Sequence, residues 1–325
     1  MRTPEFWYPA RGKSAGCLPL LLAPLALCYA APGRLRRFFV RPWKAAVPIL
    51  SVGNLVAGGA GKTPVALALA SRLLDKGVKV HFLTRGYGGR HEGPLRVEPN
   101  RHTAAETGDE ALLLAAVAPT WVARNRKAGA MAAIAAGAEL LILDDGHQNP
   151  HLVKDLSLLL IDAGRGHGNG WIIPSGPLRE APAHGLARAD MVLMIGAGTF
   201  DPPPAKPYLR AARTLRDPHC VKGRRLLAFC GIGAPQQFFD MLLKGGAVLT
   251  GTRVFPDHHT FTDNEIGKIL SLAAETDGAP VTTEKDWVRL PAARRRHVQP
   301  IGMEMHFSDE PALARLLDAL TPRRP

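Results

Sequence analysis

The chain has 325 residues, 46% hydrophobic and 21% charged, with a formal net charge of +13 and a pI near 10.0. That length accommodates two domains with cores of their own, and the apolar content excludes wholesale disorder. The basic excess points to anionic partners, whether phosphorylated ligands, an acidic membrane surface or nucleic acid; four cysteines without a C-x-x-C pair give neither a disulfide framework nor a zinc site and fit a reducing compartment.

Residues 17–31 form the one membrane-like segment. At 15 residues it falls short of the roughly 20 needed to span a bilayer as a helix, and Pro19 and Pro24 interrupt it. Arg11 and Lys13 precede it and Arg34, Arg36, Arg37, Arg41 and Lys44 follow it, which favours an interfacial helix with a polybasic flank. A buried core helix and a cleaved signal peptide are the competing readings. Next comes an apolar strand over 47–52, then Gly58-Gly59-Ala60-Gly61-Lys62-Thr63-Pro64, then a helix over 63–76. Strand, glycine turn, Lys-Thr and helix is the order in which backbone N–H groups and a helix N-terminus cradle nucleotide phosphates. The lysine would reach the terminal phosphates and the threonine hydroxyl Mg²⁺. The strict G-x-x-x-x-G-K-[ST] spacing fails, because Val56 stands at its first glycine, so a plain glycine-rich turn is the alternative.

A second strand over 78–83 runs into the loop Thr84-Arg85-Gly86-Tyr87-Gly88-Gly89-Arg90. A helix opens at Thr107-Gly108-Asp109-Glu110, a short strand holds Trp121-Val122, and an Ala-rich helix covers 125–137. The apolar strand over 139–143 ends in Asp144 and Asp145, and further strands follow over 156–161 and 191–195. Alternating strands and helices imply a parallel sheet covered on both faces. The proline-rich 201–206 reads as a boundary. Beyond it a second α/β unit has strands near 225–230, 247–254 and 280–282 and helices near 236–244, 264–275 and 310–320. Strands over 208–215 and 298–307 bracket that unit, and we expect them to pair as a two-stranded hinge. The organisation is thus an N-terminal membrane-associated segment (1–45), a P-loop kinase-like domain (46–207) and a smaller α/β domain (208–325).

Asp144 and Asp145 occupy the place of a Walker-B-type aspartate at the C-terminal end of a strand, where they can serve Mg²⁺. Asp109 at a helix start is either a cap or a functional acid. His258, in Phe255-Pro256-Asp257-His258-His259, is either solvated or a partner for an acid that deprotonates an acceptor hydroxyl. In the turn-rich loop from Gly168-Asn169-Gly170 to Arg179-Glu180, Glu180 is a third acid for Mg²⁺ and Arg179 a transition-state cation, against an exposed ion pair. Arg85 and Arg126 are candidate anion contacts.

Together these motifs resemble those of the tetraacyldisaccharide 4'-kinase (lipid A 4'-kinase) family. The resemblance runs through Val52-Gly53-Asn54-Leu55 and the glycine loop, Arg85-Gly86-Tyr87-Gly88-Gly89 and Gly108-Asp109-Glu110. It continues in Asp144-Asp145-Gly146-His147-Gln148, the 168–180 loop, Asp257-His258 and Thr283-Glu284-Lys285-Asp286. It implies ATP and Mg²⁺ as cofactors and a tetraacylated glucosamine disaccharide 1-phosphate as substrate, phosphorylated at its 4'-hydroxyl on the cytoplasmic face of the bacterial inner membrane to give lipid IVA. By the same resemblance Gly58, Gly59, Ala60, Gly61, Lys62 and Thr63 bind the nucleotide, and Thr63 with Asp144, Asp145 and Glu180 handles Mg²⁺. Asp109, helped by His258, is the base, and Arg179 stabilises developing charge. His147 and Asn149 depart from the family pattern and receive no role. The expected partners are the lipid and an anionic membrane surface, with no nucleic acid and a monomeric state. A P-loop GTPase or ATPase delivering a metal or partner is the rival class, disfavoured because Glu284-Lys285-Asp286 lacks the guanine-selective spacing. A nucleic-acid module is disfavoured by the 6% aromatic content.

Overall fold

A computed structural model describes residues 4–9, 16–58 and 61–321. Gly59 and Ala60 of the glycine loop, and Arg11 and Lys13 before the apolar segment, lie outside the described residues. The chain builds a large sheet from β1 (Ile49–Asn54), β2 (Val80–Thr84), β3 (Leu95–Arg96), β4 (Thr120–Val122), β5 (Leu140–Asp144), β6 (Leu156–Asp162), β7 (Met191–Ile195) and β8 (Tyr208–Leu215). It leaves for a second sheet of β9 (Arg225–Cys230), β10 (Val248–Val254), β11 (Ala279–Thr283) and β12 (Gln299–Ile301), then returns with β13 (Met303–Phe307). The helices are α1 (Leu18–Phe39), α2 (Lys62–Asp75), α3 (Ala104–Thr107), α4 (Asp109–Ala115), α5 (Arg126–Ala135), α6 (Pro182–Ala187), α7 (Pro235–Lys244), α8 (Asp263–Glu275), α9 (Glu284–Trp287), α10 (Ala292–Arg295) and α11 (Glu310–Asp318). This is the expected fold class: α/β, with a large, mostly parallel sheet and a second sheet.

The large sheet runs β13-β8-β7-β6-β1-β5-β2-β4-β3, and only its two outermost pairings are antiparallel. Its central strands are buried along their whole length, as continuous aliphatic runs must be when helices cover both faces. In α2, Val65, Ala66, Leu69, Ala70 and Leu73 form one apolar stripe, which packs with Leu114, Leu313 and Leu317 on one face. Ala130 and Ala133 of α5 cover Leu83, Leu141 and Leu143 on the other. The second sheet, β10-β9-β11-β12, is all parallel. Along β9, Leu226, Ala228 and Cys230 face Phe238 and Leu242 of α7, while Leu227 and Phe229 face Ile266 and Ile269 of α8, the alternation a strand requires. In the large sheet β1 pairs with both β5 and β6, so the connections diverge at β1 and leave a crevice at its C-terminal end, the usual ligand position in such sheets.

Two expectations need correction. The segment over 298–307 is not one strand. Gly302 divides it, sending β12 to the second sheet and β13 to the first. The expected pairing with residues 208–215 does form, Met303 opposite Leu215 and Phe307 opposite Ala211; β8 also pairs with β7, so the two strands that lead to the second sheet and back are the margin of the large sheet. The apolar segment is also longer than read. Helix α1 has 22 residues with Pro24 and Pro32 inside it, ~33 Å at 1.5 Å per residue, and by length and composition alone it could cross a membrane. Only Pro19 and Ala26 of α1 are buried; Leu20, Leu21, Leu25, Leu27, Phe38 and Phe39 are exposed.

Candidate active site

At the crevice, Gly61 caps α2 with φ 83°, a left-handed conformation that glycine adopts without a Cβ penalty. A Cβ there would also collide with the guanidinium of Arg213. The turn places Lys62 and Thr63 at the helix N-terminus, both buried. The Lys62 Nζ donates to Asn54 Oδ1 at 3.3 Å and lies 3.8 Å from Asp145 Oδ1. The Thr63 hydroxyl donates to Asp144 Oδ2 at 3.0 Å. Asp145 takes a positive φ of 56°, an uncommon conformation to which Asp and Asn are the usual exceptions among non-glycine residues, and receives Arg179 NH1 on both oxygens at 2.9 Å. Arg126, buried, donates to Ala123 O. Burial draws its pKa down to about 10, against the pull of Asp145 and Asp144.

Lys62, Arg126 and Arg179 therefore surround two aspartates of unequal character. Burial and the neighbouring Glu110 push Asp144 up to about 7 in spite of Lys62, whereas Lys62 and Arg179 outweigh burial at Asp145 and hold it below the ordinary carboxylate range. Asp144 Oδ1 is buried without a hydrogen-bond partner. No cluster of three or more His, Cys, Asp or Glu among the described residues could by itself hold a metal. Mg²⁺ needs no such cage, since it binds through one or two protein oxygens plus phosphates and water. The orphaned Asp144 oxygen beside the Thr63 hydroxyl fits that donor set.

The second part of the site comes from both sheets. Gly108, at φ 88°, ends α3 and starts α4, and a Cβ there would lie 2.5 Å from Tyr87 O. Asp109 thus sits directly under the 84–90 loop. Its Oδ2 lies 3.0 Å from His258 Nδ1 and 3.4 Å from Arg289 Nε, and Tyr87 packs edge-on against the imidazole at 5.5 Å between ring centroids. Burial opposes ionisation of Asp109, but the His258 hydrogen bond, Lys285 and Arg289 bring its pKa down to about 2. The Lys285 ammonium reaches Glu110 Oε1 at 3.1 Å and His258 Nε2 at 3.3 Å. The Asp109 side chain is 4% exposed and that of His258 31%, so the imidazole is the member of the pair open to a substrate.

Glu180 departs from its expected role. Arg37 NH1 meets its Oε2 and Arg188 NH2 its Oε1, each at 2.6 Å, and Gln148 Nε2 adds a bond at 3.2 Å. Both oxygens are committed to cations, so metal binding does not suit it. Asn169 of the same loop donates its side-chain amide to Phe6 O and its backbone N–H to Trp7 O, so the loop ties down residues 6 and 7. His147 is structural: buried, it bonds Ser157 Oγ at 3.1 Å and Gly185 O at 3.0 Å. Asn149 Oδ1 accepts from His151 N. Arg85 is exposed.

Sequence reasoning assigned no role to Arg289, Lys285, Asn54 or Arg213. The first two follow or lie within Thr283-Glu284-Lys285-Asp286, a motif whose Asp286 fixes Arg289 at 2.6 Å. Arg213, on β8, donates NH1 to Gln237 Oε1 at 2.6 Å, while its Nε and NH2 are buried without partners against the glycine loop. Nothing local in the sequence marks it.

A family profile described as LpxK, tetraacyldisaccharide-1-P 4'-kinase, matches residues 18–321. The chain belongs to the tetraacyldisaccharide-1-P 4'-kinase family. It is 51% identical to the tetraacyldisaccharide 4'-kinase of Rhodospirillum centenum, over 98% of this chain and 97% of that one. It is 48% identical to that of Gluconacetobacter diazotrophicus, over 98% of both. A crystal structure of LpxK from Aquifex aeolicus in complex with ATP matches with a TM-score of 0.76 and 28% identity, covering 94% of this chain and all of the other. The irregular glycine loop, Asp109 and His258 are thus read within a 4'-kinase framework.

Proposed function

We infer that this chain transfers the γ-phosphoryl group of ATP to the 4'-hydroxyl of a tetraacyldisaccharide 1-phosphate, forming lipid IVA in lipid A biosynthesis. The observation that carries this is the meeting of a phosphate-binding set with a proton-accepting pair in one crevice. Glu110, next to Asp109, is close enough to raise the pKa of Asp144. A P-loop ATPase that only delivers a partner would leave the Asp109–His258 pair without a task.

Lys62 and Arg126 would hold the β- and γ-phosphates, with the backbone of the glycine loop and the N-terminus of α2. Arg213, with two unpartnered guanidinium nitrogens at that loop, would take a further nucleotide oxygen. Thr63 and Asp144 would hold Mg²⁺, with Asp145 beside them; the ion neutralises phosphate charge. The 4'-oxygen bonds to the γ-phosphorus as the bond from that phosphorus to the β,γ-bridging oxygen breaks and ADP leaves. The hydroxyl proton passes to the Asp109–His258 pair, with Asp109 fixing the imidazole and supporting its charge. Arg179 stabilises charge on the transferring group.

The exposed leucines of α1 would enter the anionic cytoplasmic face of the inner membrane, bringing a monomeric enzyme to a lipid that stays in the bilayer. In this reading residues 1–45 serve the membrane, 46–207 the nucleotide and 208–325 the closing of the site. The test is transfer of label from γ-labelled ATP to tetraacyldisaccharide 1-phosphate in detergent micelles. A folded, ATP-binding protein that yields no labelled lipid overturns the reading.

A further inference from the structure

We propose that Lys285 is a positioning residue for the proton-accepting pair: anchored on Glu110, its ammonium keeps the lone pair of His258 on Nε2, to which the hydroxyl proton goes, and the ring proton on Nδ1 against Asp109. This rests on the kinase reading above. The Lys285 Nζ lies 3.1 Å from Glu110 Oε1 and 3.3 Å from His258 Nε2. Burial opposes its charge, but Glu110, Asp109 and Asp257 together raise its pKa above the ordinary lysine value. An ammonium has three N–H donors and no lone pair, so towards Nε2 it can only donate. Nε2 must then be the bare nitrogen, and the ring proton sits on Nδ1, 3.0 Å from Asp109 Oδ2.

The ring needs this cation because acids flank it on both sides. Asp109 meets Nδ1, and Asp257 Oδ1 stands 3.9 Å from Nε2, beyond a hydrogen bond but close enough to favour positive charge there. Without Lys285 the imidazole lies between two carboxylates, surroundings that favour the imidazolium, and an imidazolium has no lone pair to receive a hydroxyl proton. The other neighbours do not replace the lysine. Arg289, 3.4 Å from Asp109 Oδ2, is answered by Asp286 at 2.6 Å, and Tyr87 offers the imidazole only its ring.

The backbone hangs both side chains from one frame. His258 takes φ 59°, a left-handed conformation in which histidine is enriched, and its N–H donates to Gly231 O at 3.2 Å and to Asp257 Oδ1 at 3.1 Å. Gly231 O also accepts from Arg289 NH2 at 3.0 Å, and the Gly231 N–H donates to Asp286 Oδ1 at 2.9 Å. Arg289 Nε in turn donates to Lys285 O at 3.1 Å. Lys285 and His258 are thus fixed relative to each other, while their acids, Glu110 and Asp109, are consecutive on α4. When the 4'-hydroxyl arrives, the ammonium keeps Glu110 and yields Nε2 to it. The O–H bond breaks as the Nε2–H bond forms, and the imidazolium then releases that proton to water.

The experiment compares the full chain as wild type, Lys285→Met and Lys285→Arg in micelles, by kcat against pH and by nitrogen NMR of protein with isotope-labelled histidines, the His258 signals being those lost in His258→Gln. Wild type is expected to show, at neutral pH, an uncharged His258 ring protonated on Nδ1. Lys285→Met is expected to show the imidazolium there, with kcat lowered roughly ten- to a hundredfold as few rings stay neutral, KM for ATP little changed, and most of the loss recovered in alkaline solution. Lys285→Arg, which keeps the charge and the donors, restores part of the rate. A wild-type ring protonated on Nε2 overturns the proposal, as does a Lys285→Met enzyme with wild-type kcat. A loss equal at every pH with unchanged ring signals marks a lysine that only supports the fold, and overturns it too. If Lys285→Met does not fold, the wild-type spectrum decides: a proton on Nδ1 upholds the assignment and one on Nε2 overturns it. Absence of transfer to the lipid by wild type removes the kinase reading, while the ring spectra still decide where Lys285 holds the proton.

Discussion

His258 Nδ1 lies 3.0 Å from Asp109 Oδ2 although 149 residues separate them, because the second sheet closes over the C-terminal edge of the first. The carboxylate is anchored on the large sheet and the imidazole belongs to the loop after β10, so neither unit has the pair alone. With Asp109 buried and its pKa brought down to about 2, it is a carboxylate at every working pH and gives no acid limb of its own to the rate. We expect Asp109→Ala and His258→Ala each to lower kcat by about 10²- to 10⁴-fold, with KM for ATP little changed. The double variant should be no more than a few-fold worse than the worse single one, since the two act as a unit. Steady-state kinetics on the three variants checks this, and independent, multiplying losses would dissolve the pair.

Arg213 gives a separate handle on the nucleotide. Two of its guanidinium nitrogens are buried without acceptors beside Gly61, an arrangement that costs about 1–3 kcal/mol per group until a partner arrives. Arg213→Ala should raise KM for ATP about tenfold or more with a smaller change in kcat. Arg213→Lys should recover only part of the loss, because an ammonium lacks the planar fork. Unchanged ATP affinity in both variants would remove Arg213 from the nucleotide site.

The contrast between these two sites shows what the sequence could tell. Lys62-Thr63 and Asp144-Asp145 follow β1 and β5, two neighbouring strands, so the expected order of strand, turn and helix already brings them together. Asp109 and His258 were recognisable as candidates, but their contact depends on how two sheets meet. Arg213 and Arg289 carry no local mark for the same reason. Glu180 was read as a metal acid, but it is paired with Arg188 and Arg37, and Arg37 lies on a helix that runs eight residues beyond the apolar stretch ending at Ala31. Gly302 hid a change of sheet inside what reads as one strand.

The exposed apolar side of α1 sets a prediction for membrane binding. Leu20, Leu21, Leu25 and Leu27 are each more than half exposed, and moving a leucine side chain from water into an apolar phase contributes roughly 1.5–3 kcal/mol. Changing all four to serine should lower partitioning onto anionic vesicles by at least about a hundredfold, while activity in micelles falls far less. Sedimentation with vesicles measures the first and the phosphoryl-transfer assay the second. Undiminished pelleting would mean that the membrane is reached through another surface.

His147 makes stability fall on the acid side. Burial, with Arg188 adding to it, holds its folded-state pKa near 4 against an ordinary value of 6.5. The imidazole is neutral in the fold, with Nε2–H donating to Gly185 O and Nδ1 accepting from the Ser157 hydroxyl. Between those two pH values the unfolded chain binds a proton that the folded one does not, so stability falls as the pH drops through 6.5 and the loss is complete near 4. The full effect is about 3 kcal/mol. His147→Gln should cost stability at pH 7.5 by leaving one of these bonds unmade. Its disadvantage relative to wild type should then shrink by up to about 1.4 kcal/mol per pH unit on acidification. Urea unfolding at pH 7.5, 6, 5 and 4.5 follows the difference, and a gap that stays constant over that range would show that His147 does not titrate between the two states.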